Sequence, residues 1–325
     1  MTDVHRITQV RHEQGRIMKG LVLAKKYYDR LGAPMLQERF AALFDRVAVG
    51  LVGPGSECFG FDDAISRDHD WGPAFCMCLT ADDYQKYGKD LQKAYEELPE
   101  VFQGFGPRRS SIGEESRVGA CSIETFYATY TGLHHPPATT KEWLAIPESS
   151  LAVCTNGEVF SDKLGQFSRM RQALLAFYPE DVRLKKIASR CFTIAQSGQY
   201  NLPRSLKRGE LFAANWALSE FCAETMSLIF LLNKRYAPFH KWMHRAVKEL
   251  PLMGEWAHST VNDLIAPIDI NEKPAIVEAS CAVIIQALRS QGLTDSSGGF
   301  LLDHAHSVHS RIGDEELRRR FSVTK

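Results

Sequence analysis

Residues 47–80 read VAVGLVGPGSECFGFDDAISRDHDWGPAFCMCLT, and the order of residue types here decides what kind of fold follows. The opening run, VAVGLV at 47–52, is short, apolar and β-branched, the pattern of a buried strand. A second apolar run closes the stretch, so residues 72–80 are expected as another strand. Between the two stand Ser56 and Ser66 with four aspartates at 62, 63, 68 and 70. An acidic surface loop needs no function to explain it, but the spacing of the last two aspartates carries a constraint. If Asp68 and Asp70 open the second strand, residues two apart point to one side and their carboxylates share a face. Like charges held that close resist joint ionisation. A hard cation such as Mg2+, which takes carboxylate oxygens and keeps positions open for substrate phosphates, removes the conflict. Asp62 and Asp63 read as turn and N-cap residues. His69, between the pair, is expected on the opposite, packed side of the strand.

Working outward, residues 12–45 carry helical spacing: Ile17, Leu21, Leu23, Ala24 and Tyr27, then Met35, Phe40, Leu43 and Phe44 after a break at Gly32-Ala33-Pro34. A helix fits DDYQKYGKDLQKAYEELP at 82–99, closed by Pro99. A third strand is expected in RVGACSIETFYATY at 117–130. From about residue 166 strand signals vanish. Segments 168–177, 181–201, 211–232, 239–250 and 274–292 all read as helices, with a further one from Asp303. The expectation is an α+β chain, with a small mixed sheet and its helices over residues 1–165 and an all-helical domain over 166–325.

Composition narrows the function. A chain of 325 residues suggests two domains. Its 39 Lys and Arg balance 39 Asp and Glu, which argues against a main task of gripping a long nucleic acid. The amino terminus, MTDVHRITQVRHEQGR, has no apolar core of a secretory signal. The most apolar run, at 211–233, carries Glu220 and Glu224 in its middle, a costly choice in lipid. It reads as the central helix of a helical domain in a cytoplasmic protein with no membrane partner. Eight cysteines are scattered without a CxxC pair, which suits small buried side chains.

Gly55-Ser56, then Gly60, then Ser66-Arg67-Asp68-His69-Asp70 resembles the signature of the nucleotidyltransferase superfamily, the DNA polymerase beta-like fold. The longer string, GS followed by GFDDAISRDHDWG, resembles a bacterial branch of that superfamily. The resemblance covers roughly residues 47–79 and implies a helix start at Gly55-Ser56, where both residues hold the β and γ phosphates of a nucleoside triphosphate. It implies that Asp68 and Asp70 bind one or two Mg2+ ions, with Mn2+ as the substitute, and that a nucleoside monophosphate passes to a hydroxyl acceptor: a small molecule, a protein or RNA. Arg67 departs from the commoner pattern, in which the Ser directly precedes the Asp. It either reaches a phosphate or pairs with Asp62 or Asp63. The superfamily also uses a third carboxylate on a later strand, near the general base. The candidate is Glu124, with Glu114 and Glu115 as alternatives. Without a third carboxylate, a nucleotide-binding sensor or pseudoenzyme is the rival reading, and a helical interaction protein with a vestigial site is the next.

The second half offers cations and aromatics for the nucleotide. Arg204 and Arg208 are four apart, on one helix face, with Lys207 beside them. Tyr236 and Lys241 follow the apolar helix, and with Arg204 they are the candidates for phosphate and base. Glu220 and Glu224, also four apart, are expected at a cleft or a cationic partner. A histidine group at 304, 306 and 309, and the pair His134-His135, suggest zinc, although the spacings of a structural zinc site are missing.

Overall fold

The computed structural model describes residues 18–108 and 117–319. In chain order the elements are α1 (Gly20–Tyr27), a π-helical turn Tyr28–Gly32, α2 (Ala33–Arg39), β1 (Ala48–Leu51), a 3-10 turn Ile65–Arg67, β2 (Cys76–Leu79), α3 (Ala81–Glu96), β3 (Gly119–Ser122), α4 (Ile123–Thr131), α5 (Thr140–Ala145), α6 (Glu148–Thr155), β4 (Glu158–Ser161) and α7 (Gln166–Leu175). Helices alone follow: α8 (Glu180–Ile194), a π-helical stretch Ala195–Asn201, α9 (Leu202–Lys207), α10 (Leu211–Leu232), α11 (His240–Val247), α12 (Gly254–Ile265), α13 (Lys273–Ser290), α14 (Leu301–Ser310) and α15 (Glu315–Arg319). The fold is α+β. Ile17 and the alternatives Glu114 and Glu115 lie outside the described residues.

The chain divides into two compact units. One comprises everything up to Pro136 together with Val153–Leu175, and the other Pro137–Ala152 with the chain from Ala176 on. The composition shift near 160–168 thus falls inside the segment by which the chain returns to the first unit. The sheet of the first unit runs β3-β2-β1-β4. Strand β1 pairs antiparallel with β2, Ala48 opposite Cys78, and antiparallel with β4. Strand β3 pairs parallel with β2, Cys76 opposite Gly119 and Cys78 opposite Cys121. A parallel neighbour demands a crossover, which α3 supplies. Thr80 caps α3 by accepting from Asp83 N. Gln92 on the same helix then accepts from Ala120 N at 2.8 Å and so covers the β3 edge.

All residues of β1 and β2 are buried. Val49, Met77 and Leu79 join Leu23, Tyr27, Leu36, Phe75 and Leu91 in the core of this unit. Six cysteines are free and buried, and Cys78 and Cys121 are joined by a disulfide across β2 and β3. The expectation of a strand over 117–130 holds only to Ser122. There the chain turns into α4, because the Ser122 hydroxyl accepts from Thr125 N at 3.2 Å and Glu124 occupies the first helical turn. Tyr127 and Thr131, four apart, are the buried face, and Gly132 closes the helix in the left-handed conformation.

In the second unit α8 is the inner helix, packed against α10 and α14. Apart from Phe192, every residue from Val182 to Ile194 is buried. Four of them are cations, and each has a partner. Arg183 Nε donates to Leu231 O at 3.1 Å, and Lys185 Nζ to Leu317 O at 3.0 Å. Lys186 and Arg190 meet Glu148 at 3.5 and 2.9 Å, and Arg190 also meets Glu224 at 3.1 Å. No helix among the described residues is long and apolar enough to cross a membrane.

Candidate functional site

The glycine-rich loop after β1 does not start a helix. Residues 53–60 form consecutive turns, closed by Cys58 N to Gly55 O at 3.1 Å, Gly60 N to Glu57 O at 3.0 Å and Phe61 N to Ser56 O at 2.9 Å. Asn156 holds this loop, donating to Gly53 O at 2.7 Å and accepting from Gly53 N at 3.2 Å. Inside the turns sits Glu57, only 2% exposed, paired with the buried Arg108 at 2.8 Å. Its Oε2 has no hydrogen-bond partner. A Cβ on Gly55 would stand 2.6 Å from both Glu57 carboxylate oxygens, so the glycine is needed for the return of this carboxylate under the loop. Burial works against the charge of Arg108, but Glu57 more than offsets it, and with Cys58 and Asp70 nearby the pKa is raised. Burial pushes the Cys76 thiol up to about 11, so it is not a thiolate at neutral pH.

Asp62 and Asp63 are structural. Asp62 Oδ2 accepts from Gly20 N at 2.8 Å and from Trp71 Nε1 at 3.1 Å, while Lys19 Nζ stands 3.3 Å from Oδ1. This carboxylate therefore ties α1 to the acidic loop. Asp63 Oδ1 accepts from Ile65 N and Ser66 N and starts the 3-10 turn.

Asp68 and Asp70 do not open a strand. Asp68 caps the 3-10 turn in a right-handed helical conformation, and Asp70 is left-handed at φ 51°. Strand β2 begins only at Cys76, because Pro73 cannot donate to the ladder and Gly72, at φ 150°, passes within reach of the 106–108 backbone, where a Cβ would be 3.0 Å from Arg108 N. The two carboxylates consequently have separate neighbours. Asp68 is 65% exposed and meets His69 Nδ1 at 2.7 Å, whereas Asp70 is buried and faces Arg117 Nη1 at 3.5 Å. His69, expected in the packed layer, is exposed instead. Arg67 makes no ion pair with Asp62 or Asp63. Its guanidinium lies 4.5 Å over the Trp71 ring and 5.5 Å over Phe105, and Nη2 donates to Met18 O at 3.2 Å. Arg67, Asp68, His69 and Trp71, with residues 104–107, line an open groove of about 430 Å³.

Glu124 is not a strand residue. In the first turn of α4 its carboxylate accepts from the Ser122 hydroxyl at 3.0 Å. Strand β3 itself reads GACS and carries no carboxylate. Among the described residues no cluster of three or more His, Cys, Asp or Glu side chains could hold a metal ion.

In the second unit the candidate residues occupy three different settings. Arg204 lies over the Tyr200 ring at 4.7 Å, and Lys241 over the Trp242 ring at 5.1 Å. Tyr236 packs against Phe177 and Tyr178, ring centroids 4.8 and 5.2 Å away. Glu224 has the cationic partner expected for it, Arg190. Among the described residues the histidines form no group that could hold a metal ion: His304 is fully buried between Thr294 Oγ1 and Gly298 O, at 2.9 Å from each, and His309 stands 3.3 Å from Lys185 Nζ. Sequence reasoning missed Glu57, Arg108 and Arg117 around the acidic loop, and Glu148 with Lys186 and Arg190 in the helical unit. Glu57 was visible inside the GSECFG string, but its partner is 51 residues away.

Residues 143–243 match the family model of a domain of unknown function, DUF4037. That match takes in Glu148, Lys186, Arg190 and Glu224 and leaves the acidic loop outside. No curated protein and no solved structure matches the chain.

Proposed function

We propose that the protein is a Mg2+-dependent nucleotidyltransferase that moves a nucleoside monophosphate from a nucleoside triphosphate to the hydroxyl of an acceptor. The observation that carries this reading is the setting of the GS…DxD string. Asp68 and Asp70 stand in the connection between the antiparallel strands β1 and β2, and Asp68 lines an open groove with Arg67 and Trp71. Two carboxylates suit Mg2+, which nucleotide sites hold by one or two such groups together with the substrate phosphates. Asp68 and Asp70 would hold the ion, whose part is to neutralise phosphate charge. The chain's own cations do the rest of the binding. Arg67, held over the Trp71 ring, keeps an Nε without a hydrogen-bond partner, and Arg117 stands beside Asp70. The Glu57 carboxylate, outweighing burial, keeps a third guanidinium, Arg108, charged beside the loop.

The rival reading, triphosphate binding without transfer, is favoured by one observation. Strand β3 has no carboxylate, and Glu124 is turned to Ser122, so neither supplies the third acid that would take the acceptor's proton. The experiment is an assay with α-labelled triphosphates, Mg2+ and hydroxyl acceptors. Label transfer and pyrophosphate release in the wild type, abolished in folded Asp68→Asn and Asp70→Asn variants, support transfer. Retained turnover in either variant would falsify it. Binding without pyrophosphate release would leave the sensor, and no binding would leave a helical interaction protein.

A further inference from the structure

The start of α10 and the chain that leads into it are unusual for a helical unit. Phe212 is 82% exposed and Trp216 66%. Their rings are 6.4 Å apart and tilted by 34°, and Leu211 beside them is exposed too. The inward residues of the same turns, Ala214, Ala217 and Leu218, are buried, so the helix is properly docked and the two aromatics are left over. The preceding segment is basic. Arg204, Lys207 and Arg208 are exposed, and among the described residues none of the three has an ion pair. Arg204 instead lies over the exposed ring of Tyr200. Glu210 is the only acid between Tyr200 and Ser219.

The ligand must account for both halves of this surface. An apolar partner protein accounts for Phe212 and Trp216 but leaves three unpaired cations unexplained. A membrane-surface helix exposes apolar side chains along a whole face, whereas here they are confined to the first turns of α10. An inorganic anion has no use for aromatic faces. A chain of bases joined by phosphates uses both, since aromatic side chains stack bases and cations track the backbone. We infer that the surface from Tyr200 to Trp216 docks single-stranded nucleic acid, with Phe212 and Trp216 stacking bases and Arg204, Lys207 and Arg208 meeting phosphates. Three cations and two stacking rings limit the contact to a short stretch, a few nucleotides long. The inference does not depend on the transfer reading, although the two together make a strand's terminal hydroxyl the natural acceptor class.

The test uses the full chain and a fluorescein-labelled oligouridylate of about twelve nucleotides, titrated by anisotropy over a range of salt. The variants are Phe212→Ala with Trp216→Ala, and Arg204→Gln with Lys207→Gln and Arg208→Gln, all at exposed positions and each checked for an unchanged melting temperature. Binding is expected in the wild type and weaker by about tenfold or more in each variant. Three phosphate contacts predict a slope of log K against log salt of about −2, flattened in the cationic variant. The inference is overturned if the oligonucleotide does not bind, if the aromatic variant binds as well as the wild type, or if a duplex of the same length binds equally. It is also overturned if the oligonucleotide fails and the wild type self-associates through Phe212 and Trp216, or if it fails and anionic vesicles bind through the same residues. Neither Asp68 nor Asp70 enters the readout, so a negative result here leaves the transfer reading standing.

Discussion

At the scale of single residues, the acidic loop is organised around a buried ion pair. Glu57 and Arg108 are both shielded from solvent, and one oxygen of Glu57 has no hydrogen-bond partner. Such a pair is weak evidence of net stability, but removing one partner strands the other charge and costs about 3–5 kcal/mol. Arg108→Met is therefore expected to lower stability by that amount, read as a fall in the urea midpoint at unchanged slope. A variant within about 0.5 kcal/mol of the wild type would mean that Glu57 finds another partner or a proton. This pair was not legible in the sequence. Glu57 lies inside the very string that suggested a phosphate loop, and spacing speaks only of neighbours along one strand or helix. The same limit applied to Asp62: the turn role expected of it falls to Asp63 alone, and its bonds to Gly20 and Trp71 were not readable.

At the scale of elements, both strand expectations near the site ran too long for local reasons. Pro73 and the positive φ of Gly72 delay β2 until Cys76, which takes Asp68 and Asp70 out of the alternating strand geometry that first paired them. Ser122 stops β3 and caps α4. The signal for that switch was present in SIET, a Ser followed by an acid in the first turn, but the β-branched and aromatic residues around it outweighed it. Ser122→Ala should destabilise by about 1 kcal/mol through loss of the cap, measurable in chemical denaturation. Glu124→Gln should leave triphosphate affinity unchanged by calorimetry, because the carboxylate is spent on the Ser122 hydroxyl. A large loss of affinity in Glu124→Gln would restore it as the third acid. The buried strand β1, the helix α3 and the run of helices after Gln166 were all legible, since each rests on periodicity alone.

At the scale of the whole molecule, the two units interleave along the chain, and a composition shift sees only one of the crossings. Pro137–Ala152 belongs with the helical unit because Glu148 meets Lys186 and Arg190 there, about forty residues on in the chain. Burial lowers the pKa of Lys186 from its ordinary 10.5, despite the opposing pull of Glu148. Between the lowered value and 10.5 the unfolded chain holds more protons than the folded one, so this group makes stability rise with pH in that window. The wild type should gain on Lys186→Met in urea midpoint as pH rises toward the ordinary lysine value of 10.5, and a difference that stays flat or shrinks would contradict a burial-lowered ammonium. The proposed metal–triphosphate site lies in the other unit, and its decisive measurement is calorimetric titration of the full chain with ATP, GTP, CTP and UTP, with and without Mg2+, beside the Asp68→Asn, Asp70→Asn double variant. Mg2+-dependent binding of at least one triphosphate is expected, lost in the double variant at an unchanged melting temperature. Binding that survives in the variant, or the absence of any binding with Mg2+, would contradict it.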